Sequence, residues 1–175
     1  MQTMELWEFC SRYPMEEKLF VVPTRAIGLQ MVNKIARDGH SVLNLKVISL
    51  TRLAFEICEE YIANKDKLII DNVLGGNLII QILRDLAQRD SEAFFFKEDL
   101  INTGTADEVY KAIMELKYAG LKKFPKTKNL DLIHKEYEKK LKDLNAMDYY
   151  DVVERACELE CLEAYKDKKI AIACN

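Results

Sequence analysis

The stretch KLFVVPTRAIGLQMVNKIARDG, Lys18 to Gly39, decides the fold class. It opens on a short apolar run with a β-branched pair, stopped by Pro23, which has no N–H to give a ladder. That is the pattern of a buried strand. From Arg25 to Arg37 the apolar residues Ile27, Met31 and Ile35 recur at every fourth position, and Asp38-Gly39 closes the segment. This predicts an amphipathic helix with a glycine stop. A second strand is expected at Leu45–Ile48. Ser49 is placed to cap a helix whose stripe runs through Leu50, Leu53, Ala54, Ile57, Cys58, Tyr61 and Ile62. Strand, helix, strand, helix within about fifty residues predicts an α/β unit with parallel strands.

From Lys65 to Asn145 the period is almost wholly helical. Gly75-Gly76 precede an expected helix with Leu78, Ile79, Ile82, Leu83 and Leu86 on one face. Thr105 to Glu108 has the spacing of a capping box, and Val109, Ile113 and Leu116 carry that helix to a stop at Gly120. Asn129 opens another, with Leu132, Ile133, Tyr137, Leu141 and Leu144 expected inward. Asp148 then caps a helix through Val152, Val153, Ala156, Cys157 and Leu159. Asp71, at the end of LIID, reads better as a helix cap or loop residue than as a catalytic carboxylate. The final KIAIAC, Lys169 to Cys174, has the composition of a strand from the middle of a sheet, so the chain reads as part of a longer protein.

Composition narrows the function classes. The 175 residues carry 26 Lys plus Arg against 29 Asp plus Glu, a formal charge of −3. Binding to nucleic acid through bulk positive charge is thereby disfavoured, and any such contact has to be local. Local charge does segregate: residues 122–142 hold eight lysines against three acids, and residues 143–167 hold eight acids against Arg155 and Lys166. The basic stretch suits phosphate, or the two faces partly neutralise each other in solvent. No apolar run reaches the ~18 residues of a membrane span, so no membrane partner is expected. Five cysteines without a secretory signal fit a reducing, cytoplasmic setting. Cys157 and Cys161 share a helix face, but His40 and His134 do not complete a tetrahedral metal set, so no metal site is expected.

Three segments in order resemble the first motor domain of the superfamily-one DNA helicases of the UvrD and RecB type. VVPTRAIGLQM, Val21 to Met31, is similar to their strand-to-helix motif with a Thr-rich turn, Thr24 falling on the family's threonine and Arg25 on its asparagine. VISLTRLAFEI, Val47 to Ile57, resembles the next motif, with Ser49 at the threonine and Thr51 at the histidine. NAMDYYDVVERA, Asn145 to Ala156, resembles the acidic helix start before the magnesium-binding strand, Asp148 and Asp151 lying where the family has paired aspartates. The resemblance implies a P-loop-NTPase-like parallel sheet, domain 1A, from residues 1–64 and 146–175. Residues 65–145 would form a mainly helical insertion of the 1B kind, in a chain that is helix-rich throughout.

The departures carry as much weight. A motor needs a glycine loop ending in Lys and Ser or Thr to cradle phosphates, and no such run occurs. Gly75-Gly76 lack the lysine, and the first seventeen residues contain no glycine. The magnesium strand should end in Asp-Glu, where this chain has Cys174 and Asn175. A thiol and an amide neither hold that metal nor act as general base. Together these features resemble the AddB-type branch, the nuclease-bearing subunits of bacterial helicase–nucleases of DNA double-strand-break repair and recombination.

That resemblance implies a helicase-like domain without catalytic residues of its own, scaffolding an AddA-like motor subunit and guiding DNA as a single strand or duplex end. Thr24, Arg25, Ser49, Thr51 and Arg52 would be its DNA-binding residues. Each also has a local reading, as a helix cap or a first-turn surface residue. Full-length relatives would use ATP, magnesium and an iron–sulfur cluster, none with ligands in this chain. Two alternatives stay open: a helical protein-interaction module with no nucleic-acid role, for which Phe94-Phe95-Phe96 is the suggestive patch, and a fragment of an active helicase.

Overall fold

The computed structural model describes residues 3–89, 97–121, 128–158 and 165–173. Phe94-Phe95-Phe96, Lys122, Lys123, Lys126, Cys161, Cys174 and Asn175 lie outside the described residues. The chain divides into two units, residues 1–59 with 153–175, and residues 60–152. Among the described residues there are seven α-helices and two small parallel sheets, a helix-rich α/β fold.

In the first unit, β1 (Lys18–Val22) is buried along its whole length. It pairs in parallel with β2 (Leu45–Ser49) on one side and β5 (Lys169–Ile172) on the other. Alternation sends Phe20 and Val22 to one face, where they pack with Leu6 and Cys10 of α1 (Thr3–Arg12) and Ile35 of α2 (Arg25–Arg37). Leu19 and Val21 go to the other face, with Ile48 and with Leu53 of α3 (Leu50–Asn64). A strand covered on both faces reads as a continuous apolar run, which is why KLFVV is legible. Lys18 is buried at its start because its ammonium donates to the carbonyls of Tyr13 and Glu16, at 2.5 and 2.8 Å.

Both helix stops fall as expected, Gly39 and Gly120 standing at φ +84° and +72°. The last strand does not lie where expected. β5 is at the sheet edge among the described strands, and β1 is the middle one. Its Ala171 is buried while Ile170 and Ile172 are exposed, an alternation hidden by a run composed only of apolar residues.

The second unit is built on β3 (Leu68–Ile70) and β4 (Ala146–Asp148), paired in parallel. The almost wholly helical reading of 65–145 does not assign β3. Asn145, at φ +50°, ties the two strands together, its amide donating to the carbonyls of Lys65 and Asp66 while its Oδ1 accepts from Lys67 Nζ at 2.7 Å. Around them pack α4 (Asn72–Arg89), α5 (Thr103–Tyr118) and α6 (Lys128–Asp143). Their shared core includes Ile79, Leu83, Ile113, Ile133, Tyr137 and Leu141.

Several expectations are corrected here. Gly75 and Gly76 lie inside α4 rather than before it, because Asp71 caps the helix, accepting from Leu74 N–H at 2.8 Å. Asn102, not Thr105, caps α5; the Thr105 hydroxyl donates to the Leu100 carbonyl instead. In α6 the inward stripe is Ile133, Tyr137 and Leu141 at fourfold spacing, which leaves Leu132 about 100° away around the helix and exposed. Leu144 follows the helix end and is exposed too.

Candidate functional site

In the first unit, β1 and β2 run parallel with Val22 opposite Ser49, so the helices after them start at the same edge of the sheet. Thr24 is extended, at φ −135°, and its hydroxyl accepts from Ile27 N–H at 3.4 Å, capping α2. Ser49 ends β2 and its hydroxyl accepts from Arg52 N–H at 3.3 Å, capping α3. Two positive helix ends are thereby directed to one edge, where anions are favoured. Gly28 permits close seating of α2 there, since a Cβ would collide with Val47 and crowd Val22.

A groove of about 590 Å³ lies along these elements. Arg25, Lys46, Ser49 and Arg52 line it, with Glu56 as the one carboxylate among the described residues. Lys46 Nζ lies 2.6 Å from Glu56 and Arg52 Nε lies 3.6 Å from it, so one acid serves two cations. Arg25 has no ion pair among the described residues. Of the five expected DNA-binding residues, the groove thus brings together Arg25, Ser49 and Arg52. Thr24 is exposed beside it as the α2 cap, and Thr51 is half-buried in the first turn of α3, outside the lining. Lys46 was not expected; it was legible only as the polar residue of an alternating strand.

The second unit holds a buried charge cluster. Lys117 Nζ, near the end of α5, donates to Asp148 at 2.6 Å, Asp151 at 2.9 Å and Glu138 at 2.9 Å. Tyr137 OH donates to the same Asp148 oxygen at 3.2 Å. Asp148 and Asp151 also cap each other's backbone at the start of α7 (Tyr149–Glu158), the Asp151 N–H donating at 2.9 Å and the Asp148 N–H at 3.1 Å. Burial pulls Lys117 down, but Asp148, Asp151 and Glu138 together outweigh it and hold the ammonium above the ordinary lysine value. Burial and the neighbouring Asp148 charge push Asp151 up, against the pull of Lys117. Burial lowers His134.

Oxygens of Glu138, Asp148 and Asp151 lie close enough together to hold a cation, and the Lys117 ammonium is that cation. The cluster is a structural clasp joining α5, α6 and the β4–α7 turn. Asp148 was expected as a cap; Lys117 and Glu138 were missed. The available signal was a lysine on the buried stripe of α5, one turn after Ile113.

The Gly75–Gly76 pair has no phosphate-loop geometry. It lies within the helix at the N-terminal turn of α4, with Gly75 N–H donating to the Asp71 carbonyl at 2.8 Å. Cys10 and Cys58 are buried and Cys157 is exposed. No helix among the described residues is long and apolar enough to cross a membrane. No protein-family model matches the chain, and no curated protein matches it.

Proposed function

We propose that this chain is an inactivated helicase-like domain of a DNA double-strand-break repair helicase–nuclease. It guides a single strand and scaffolds a motor subunit without hydrolysing ATP. The observation that carries this reading is the groove along β2, lined by that strand from Leu45 to Ser49 and by residues of α2 and α3. Two capped helix N-termini open beside its Ser49 end, and among the described residues three cations face it against one carboxylate.

Amides at helix N-termini and flexible Arg and Lys side chains are the groups that hold a phosphate backbone without reading its sequence. The Ser49 end of the groove reaches the carboxyl edge of the sheet, where open α/β sheets bind ligands. On this reading residues 1–64 and 146–175 are the 1A-like core and residues 65–145 the 1B-like insertion; the compact units divide at 59/60 and 152/153, so the Asp148–Asp151 pair belongs to the second unit.

The test is binding of a labelled oligothymidylate to the intact chain by fluorescence anisotropy, with ATP turnover measured on the same preparation. Salt-sensitive binding without turnover is expected. ATP hydrolysis by the purified chain would overturn the reading.

A further inference from the structure

A second groove, of about 550 Å³, runs between α4 and α5, and its lining among the described residues comes from those two helices. Its lining extends from Thr103 in the first turn of α5 to Tyr118 at its end, roughly 22 Å at the helical rise. Val73 and Tyr118 contribute apolar surface to its walls, 70% and 54% exposed.

The floor is preorganised. Gly75 has no Cβ, and the Tyr110 ring occupies the space one would need. That ring is buried, hydrogen-bonded to Tyr137 and packed edge-on against it at 5.9 Å. Tyr118 is held edge-on to Tyr150 at 5.4 Å. Fixed aromatic side chains reduce the ordering cost of association and are the anchors on which interfaces concentrate their energy.

The charges select the partner. Asp107 and Glu115 line this groove, and neither has an ion pair among the described residues. Lys111, the lining cation, is already engaged by Glu108 at 2.7 Å. An apolar floor bordered by Asp107 and Glu115, with the Lys111 charge shared between Glu108 and Asp107, is complementary to an apolar ridge with basic flanks. A length of roughly 22 Å matches about four helical turns. We propose that the α4–α5 groove docks a basic amphipathic helix of a protein partner, the helix-in-groove mode of recognition. The proposal stands independently of the DNA-guiding reading.

The experiment is selection of displayed random peptides of about fifteen residues, four helical turns, against the intact chain, with affinities of enriched peptides measured by anisotropy. Expected are apolar residues at helical spacing flanked by Lys or Arg. Val73→Asp should weaken these peptides by at least about thirtyfold, as loss of an interface anchor does. This exposed first-turn position tolerates an acid, which suits a helix N-terminus. Asp107→Asn with Glu115→Gln should weaken them by about fivefold, the worth of two exposed ion pairs.

No enrichment, acid-flanked peptides, or peptides that bind the Val73→Asp chain equally well would overturn the proposal. A chain that sediments as a dimer and becomes monomeric with Val73→Asp would assign the groove to a second copy, and overturn it too.

Discussion

Val22 and Ser49 are register partners at the ends of two parallel strands, which brings the starts of α2 and α3 to one edge of the first sheet. The caps of those helices, Thr24 and Ser49, therefore stand together at that edge.

Cap and phosphate roles separate by substitution. Thr24→Ala and Ser49→Ala should each cost about 1 kcal/mol in urea unfolding, the usual worth of a cap. Thr24→Asp and Ser49→Asp keep an acceptor for the helix and should stay within about 0.5 kcal/mol of the parent. They place a carboxylate against phosphate, so they should weaken oligonucleotide binding more than the alanine variants do.

The Lys117 clasp predicts an asymmetry. Lys117→Met leaves Asp148, Asp151 and Glu138 without their cation and should destabilise the chain by about 3–5 kcal/mol, as breaking a buried pair from one side does. Asp151→Asn keeps an acceptor for the Asp148 N–H, removes a charge that burial and Asp148 already disfavour, and leaves Asp148 and Glu138 to hold the ammonium. It should cost less than Lys117→Met. Chemical denaturation of both variants gives the comparison.

The same cluster sets an alkaline limit. Burial, reinforced by the Asp148 charge, pushes Tyr110 up to about 12 from 10.0, and Tyr137 and Tyr118 move in the same direction for the same leading cause. Lys117 is raised as well. Groups raised on folding bind protons more tightly in the folded state, so their stabilisation is complete below the unfolded value and is lost as pH rises through the folded one. Melting temperature should therefore fall between pH 10 and about 12. Tyrosinate absorbance should rise in a late step that coincides with unfolding.

Adjacent glycines of α4 should respond oppositely. Gly75→Ala drives a methyl into the rigid Tyr110 ring, and overpacking of about 1–3 kcal/mol outweighs the gain of about 1 kcal/mol in helix propensity. Gly76→Ala meets only the end of the exposed Asp107 side chain, which can swing away, so the propensity gain should survive. Thermal melts of the two variants should shift in opposite directions.

The parts of this fold legible in the sequence are those where one local rule suffices. KLFVV is buried on both faces and shows as an unbroken apolar run, while Thr24, Ser49, Asp71 and Asp148 cap helices through their own side chains. What was missed depends on distant partners. β3 is three residues long and is defined by its pairing with β4, more than seventy residues away in the sequence. Lys117 looks like any surface lysine until α6 and the α7 cap bring three carboxylates to it. In the candidate groove Arg25, Ser49 and Arg52 were legible through their motif positions. Lys46 was not, because only strand register brings it beside them.

The most direct test of the central claim is the salt dependence of single-strand binding, measured for the parent and for Arg25→Ala with Arg52→Ala. Each phosphate neutralised contributes about −0.7 to the slope of log affinity against log salt on a single strand. Three groove cations therefore predict a slope near −2, falling to about −0.7 when two are removed. A slope unchanged by the double substitution, or affinity indifferent to salt, would contradict the assignment of this groove to a DNA strand.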